Sequence, residues 1–112
     1  MVVTMAPCIV SAADGVAINA TNFPDANFMN YVSNTIDTKS DGFLSASEIA
    51  ATTTIFVPRK SISSLEGIEY FTALTDLYCE NNSLSTLDVS NNTSLTSLWC
   101  GGNNLTTLDV SN

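Results

Sequence analysis

The sequence contains no histidine, and that one absence removes several chemistries together. Without an imidazole, neither a Ser–His nor a Cys–His nucleophile pair can be assembled. Cations are nearly as scarce. Of 112 residues only Lys39, Arg59 and Lys60 are basic, against eleven acidic side chains, for a net charge of −8. From residue 61 onward there is no basic side chain at all. Phosphate is held by Lys and Arg that displace counterions, so no nucleic-acid partner is expected, and anionic membrane surfaces are disfavoured. No segment approaches the ~20 apolar residues of a bilayer span, so membrane insertion is not expected either.

The first fifteen residues, MVVTMAPCIVSAADG, run apolar from Val2 to Val10 and then turn small and polar. This matches the end of a secretory signal peptide cleaved after Ala12 or Ala13, and residues 1–13 are read as its remnant. A charged leading region is missing, which fits Met1 as an internal start in a truncated reading frame. The alternative is an N-terminal strand of the mature protein. Cys8 follows Pro7, a poor fit to a lipoprotein acylation motif. Secretion or display at a cell surface is the expected location.

What the sequence does have is a period. LTDLYCENNSLSTLDVSNNTS from Leu74 and LTSLWCGGNNLTTLDVSN from Leu95 align without a gap at 21 residues. The shift carries Leu77 onto Leu98, Cys79 onto Cys100, Asn82 onto Asn103, Leu84 onto Leu105 and Leu87 onto Leu108. LxxLxCxxNxL is the signature of a leucine-rich repeat. A less regular unit begins near Thr52, with Ile55, Val57, Ile62, Leu65, Ile68 and Phe71 in the apolar slots and Lys60 in place of the Asn. Residues 52–112 are therefore assigned to an incomplete solenoid of short parallel strands, an α/β repeat fold. Leu77 and Cys79 should point inward and Tyr78 and Glu80 outward, because strand side chains alternate. Asn82 should bond backbone groups left open where the strand ends. The chain stops at Asn112 in mid-unit, so the expectation is the front end of a longer protein, truncated at its C-terminus.

A solenoid needs a segment covering its first repeat, and residues 14–51 suit that task. NFPDANFMNYVSNTID sets Pro24 near a helix start, Asp25 in the first turn, and Phe28, Val32 and Ile36 on one apolar stripe. A second short helix is expected in SASEIAA. Between them, DTKSDGFLSASE (37–48) has the spacing of an EF-hand calcium loop. Asp37, Asp41, the Phe43 carbonyl, Ser45 and Glu48 would supply oxygens, and Gly42 stands at the sharp turn. Lys39 occupies the third ligand position, removing an oxygen and adding a positive charge. A structural turn is the preferred reading. A weak calcium site, of roughly 10⁻⁴–10⁻³ M, stays open; no other cofactor is expected.

FPDANFMNYV, DGFLSASEI, SISSLEGIEYFTAL and the Cys/Asn repeats together resemble secreted leucine-rich-repeat proteins of gut and oral bacteria. The internalins are among the relatives of that group. The resemblance covers nearly all of residues 22–112 and is most specific in LEGIEYF (65–71) and the repeats. It implies a small helical, EF-hand-like N-terminal cap on the solenoid. It also implies a secreted or cell-surface protein that binds other macromolecules. The resemblance further implies that such a cap can hold calcium where its ligand set is full, and that many have lost it; Lys39 departs from that set.

Two other constellations fit scaffold better than chemistry. Cys79 and Cys100 stack one turn apart at about 4.8 Å, but in-register parallel side chains hold Cβ atoms wider than the ~3.8 Å a disulfide prefers. Free buried thiols are the better reading. Asp88 and Asp109 also stack, at a spacing like that of a retaining glycosidase pair, yet both fill one turn slot where Asp accepts backbone N–H bonds.

The outward strand position holds Phe56, Tyr78 and Trp99 in successive units, with Glu80 beside them and Arg59 at the cap end. Parallel stacking makes these a contiguous aromatic stripe on the concave face. Such a stripe could merely brace neighbouring strands. Exposed Trp and Tyr in register are more typical of a binding surface. The expected function is non-enzymatic recognition of a protein partner, as in adhesion, by these five residues. Two alternatives stand beside it: carbohydrate binding by ring stacking, and scaffold preceding a catalytic domain outside this chain.

Overall fold

A computed structural model describes residues 15–109 of the chain. The signal-peptide reading falls on residues 1–13, outside them. Strands β3 (Thr54–Phe56), β4 (Asp76–Tyr78) and β6 (Ser97–Trp99) pair in parallel, in that order. Their register is the sequence period: Ile55, Leu77 and Leu98 lie opposite one another, and so do Phe56, Tyr78 and Trp99. Alternation then sorts the side chains. Ile55, Leu77 and Cys79 are fully buried, whereas Phe56 and Trp99 face solvent. The ladder runs past the strands, since Val57 N–H donates to the Tyr78 carbonyl and Cys79 N–H to that of Trp99, both at 2.8 Å.

The returning segment of each unit also forms strands. β5 (Thr86–Asp88) and β7 (Thr107–Asp109) pair in parallel, with Leu87 opposite Leu108 and Asp88 opposite Asp109. Leu87 and Val89 are buried while Thr86 and Asp88 are exposed, a period of two. The core lies between the two sheets. All six apolar slots of the irregular first unit belong to it, as do Leu74, Leu84 and the cap residues Phe23, Phe28 and Val32.

Asparagines stitch one coil to the next. Asn82 Nδ2 donates to the carbonyls of Val57 (2.8 Å) and Cys79 (2.9 Å), and its Oδ1 accepts N–H groups of Lys60 (2.8 Å) and Ile62 (3.0 Å). Asn103 repeats the pattern one turn later, donating to Cys79 and Cys100 and accepting from Leu84 N–H, each at 3.0 Å. A third, Asn92, is fully buried and donates to the carbonyls of Ile68 and Phe71. Backbone groups at a buried turn need such partners, because an orphaned one costs about 1–3 kcal/mol.

In the cap, β1 (Val16–Ala17) pairs antiparallel with β2 (Phe43–Leu44), and α1 (Ala26–Tyr31) and α2 (Ala46–Ala51) flank the twelve-residue loop. Asp25 is the N-cap of α1, not a first-turn residue: its Oδ1 accepts Asn27 and Phe28 N–H at 2.9 and 3.1 Å. Beyond Tyr31 the helix widens into a π-turn over Val32–Ile36, where Asp37 N–H reaches the Val32 carbonyl at 3.0 Å. Phe28, Val32 and Ile36 are all buried, so the expected stripe survives that widening. Phe23 packs edge-on to Phe28 and against Tyr70 and Phe71. Gly67 lies beneath its ring at φ 107°, where any Cβ would overlap the Phe23 side chain.

Candidate functional site

The outer face of β3–β4–β6 carries the stripe. Phe56 is 57% exposed and Trp99 56%, with half-buried Tyr78 between them. The Phe56 and Tyr78 rings tilt at 58° with centroids 5.5 Å apart; Tyr78 and Trp99 stack at 10° and 6.0 Å. In-register pairing puts the three rings in one row, as strand alternation requires. The cap reaches this row too: the Tyr31 hydroxyl accepts the Phe56 N–H at 3.2 Å, covering a donor on the outermost strand.

Glu80 is half-buried, and its Oε1 is enclosed without a hydrogen-bond partner among the described residues. Arg59 is exposed in a left-handed backbone conformation, its N–H donating to the Glu80 carbonyl at 3.1 Å. The register sets Phe56, Tyr78 and Trp99 on one face, with Glu80 at the next outward position after Tyr78 and Arg59 exposed in the turn beside it. It adds one that sequence reading missed: Asp76, two residues before Tyr78 on β4 and half-exposed. The alternation that marked Tyr78 as outward marks Asp76 as well. Gly101 and Gly102 follow Trp99 and Cys100 in the chain. Around Gly101 there is open space, but Gly102 has φ 72° and is pressed against Asn81, so its smallness serves the turn.

In the loop, Asp37, Asp41 and Glu48 each offer an oxygen within 4.8 Å of the others. Those carboxylates already serve the backbone. Asp37 accepts the N–H groups of Asp41 and Gly42, and Asp41 that of Phe43. Glu48 accepts the N–H groups of Ser45 and Lys39 and the Thr38 hydroxyl. Burial pushes the Glu48 carboxyl up, but these donors outweigh it and hold the group below its ordinary value. Ser45 caps α2, its Oγ accepting Glu48 N–H at 3.1 Å in a capping box. Lys39 sits exposed at the loop's surface.

Cys79 and Cys100 are free thiols, the first buried and the second half-buried. Burial, with smaller contributions from Cys100 and Glu80, pushes the Cys79 thiol up to about 12. It is a neutral core residue, as expected. Asp88 Oδ1 accepts both the N–H (2.9 Å) and hydroxyl (2.6 Å) of Ser90, the turn role that fits scaffold.

These elements define an α/β leucine-rich-repeat fold preceded by a helical segment. Comparison with known proteins then narrows the class. No family model matches the chain. Internalin J of Listeria monocytogenes serotype 4b is 40% identical over 70 residues, 62% of this chain and 8% of that protein. The functional domain of InlJ from Listeria monocytogenes, described as including a cysteine ladder, superposes with a TM-score of 0.74 at 38% identity. That match covers 86% of this chain and 21% of the solved one. Internalin InlF of the same species gives a TM-score of 0.68 at 26% identity over 87% of this chain and 32% of its own. InlC2 matches at 0.70 over 88% of this chain and 50% of its own, with 21% identity, a likeness of fold alone. The chain is internalin-like, and it spans 8% of the length of the curated relative it matches.

Proposed function

We propose that the chain is a non-enzymatic recognition module of a secreted or cell-surface bacterial protein. It binds a protein partner through the outer, concave face of β3–β4–β6. The row of Phe56, Tyr78 and Trp99 carries this reading, with its two end rings more than half exposed. Burial of apolar surface drives folding, and neither end ring contributes much to it. Large aromatics left outside in register supply the rigid, low-entropy contact area that interface anchors provide. Likeness to internalins supports the same class. Glu80 and Arg59 give the stripe a polar border.

The cap is read as EF-hand-like in spacing only, a turn held together by its own carboxylates. A surface array of extracellular proteins and of glycans tests the function. Binding to one or more proteins, reduced by Phe56→Ala, is the expected result. Binding confined to glycans would replace the protein reading by the carbohydrate one.

A further inference from the structure

Resting on that reading, we infer that the stripe receives a cation: an arginine or lysine side chain of the partner, seated on the Tyr78 and Trp99 rings between Asp76 and Glu80. Positions two apart on a strand share a face at a spacing of about 6.6 Å. On β4 and its extension the outward series therefore reads Asp76, Tyr78, Glu80. At the same levels the flanking strands present Thr54, Phe56 and Pro58 on one side, and Ser97, Trp99 and Gly101 on the other. Both carboxylates of this face thus bracket the central ring of the stripe.

Among the described residues neither carboxylate is held in an ion pair. No basic residue follows Lys60, so the units carrying Tyr78 and Trp99 have none of their own. Arg59 is the nearest cation along the strands: the register sets it opposite Asn81, one position past Glu80, whose carbonyl its N–H reaches. It lies roughly 16 Å along the strand direction from Asp76, the carboxylate left without a cation beside it. Asp76 Oδ2 accepts a hydroxyl from Thr75 at 3.1 Å, and Glu80 Oε1 takes no hydrogen bond among the described residues. A carboxylate without ionic donors keeps its field, and ring faces add a negative potential of their own. Gly101 has open space where a side chain would stand, level with Glu80 and beside Trp99. A guanidinium or ammonium group fits this combination. An aliphatic anchor would make no use of the two charges, a neutral sugar could offer them only hydroxyl donors without charge, and an acidic partner would be repelled.

Trp99 is the sole tryptophan, so emission excited selectively at tryptophan, clear of the three tyrosines, reports this surface. The full chain is titrated with blocked pentapeptides carrying two Arg, two Lys, two Leu or two Glu, and with an N-acetylglucosamine trimer. The cationic peptides should saturate the emission change, weakly and with salt sensitivity. Affinity should drop about tenfold or more in Asp76→Asn/Glu80→Gln. Glu66→Gln/Asp88→Asn, which removes the same charge around a separate groove, should bind like the wild type. Circular dichroism checks the fold, and Glu80→Gln alone serves if the double variant is unstable. No saturation below about 10 mM overturns the inference, as does equal weakening in both double variants, which would mean net charge alone. Leu peptides binding as well as Arg peptides would also overturn it, while leaving protein recognition standing. Saturation by the sugar alone would sink both.

Discussion

Asp25 and Ser63 are joined across the seam between cap and repeats: Asp25 Oδ2 accepts the Ser63 N–H at 2.7 Å. The same carboxylate reaches Ser64 N–H at 3.3 Å, while its other oxygen caps α1. One side chain therefore satisfies orphan donors on two elements. Nearby, Tyr70 hydroxyl donates to Asn22 Oδ1, and Asn22 Nδ2 to the Ala17 carbonyl. The cap is tied to the first coil by polar bonds around the Phe23 contact.

Asp25→Ala should therefore cost more than an ordinary helix cap. Loss of the N-cap alone costs about 1 kcal/mol, and stranding the Ser63 and Ser64 donors raises the expected total to roughly 2 kcal/mol. Asp25→Asn, which keeps an acceptor, should cost less. Urea unfolding of the three proteins measures this. Equal stabilities would mean that solvent serves the seam as well as Asp25 does.

The repeats were legible because they occur more than once. Leu77, Cys79 and Asn82 recur as Leu98, Cys100 and Asn103, and each pair takes the same environment: inward for the first two, turn-bonding for the last. Asn92 plays a comparable part but was missed, since 21 residues earlier stands Phe71 and no second copy exposes the slot. Strand β5 was missed although it recurs as β7, because Asp88 and the Ser-Asn-Asn that follows its strand carry the residues of a turn. Nor do single residues announce long-range contacts. Gly67 beneath Phe23, and β1 against β2, are brought together by tertiary packing across stretches with no period of their own.

Cys79 gives a pH dependence of defined sign. Its thiol is held at about 12 in the folded chain, against an ordinary 9.0, so folding favours the protonated form. That contribution is complete below pH 9 and is lost as pH rises from there toward 12. Between about pH 8 and 10.5 the wild type should lose more unfolding free energy than Cys79→Val, which has no thiol to ionise. In native protein Cys79 should also resist alkylation while Cys100 reacts faster. Parallel pH profiles for the two proteins would contradict the burial argument.

In the loop, Lys39 leaves the Asp37–Asp41–Glu48 cluster short of an oxygen, and the existing acceptors already hold backbone donors. Millimolar calcium should raise the melting temperature only slightly. Lys39→Asp should bind more tightly and gain stability with calcium by mass action. Calorimetric titration decides it: a wild-type Kd in the micromolar range or below would show a functional calcium site.

Recognition by the stripe is tested most directly at Trp99, through binding and stability measured on the same variant. An interface anchor commonly contributes ~2 kcal/mol or more, whereas an exposed aromatic adds little to folding. Trp99→Ala should therefore weaken binding to a partner found on the array by about 30-fold or more while shifting stability by less than about 0.5 kcal/mol. Unchanged affinity, or intact binding with a markedly destabilised fold, would contradict the account and return Trp99 to the scaffold.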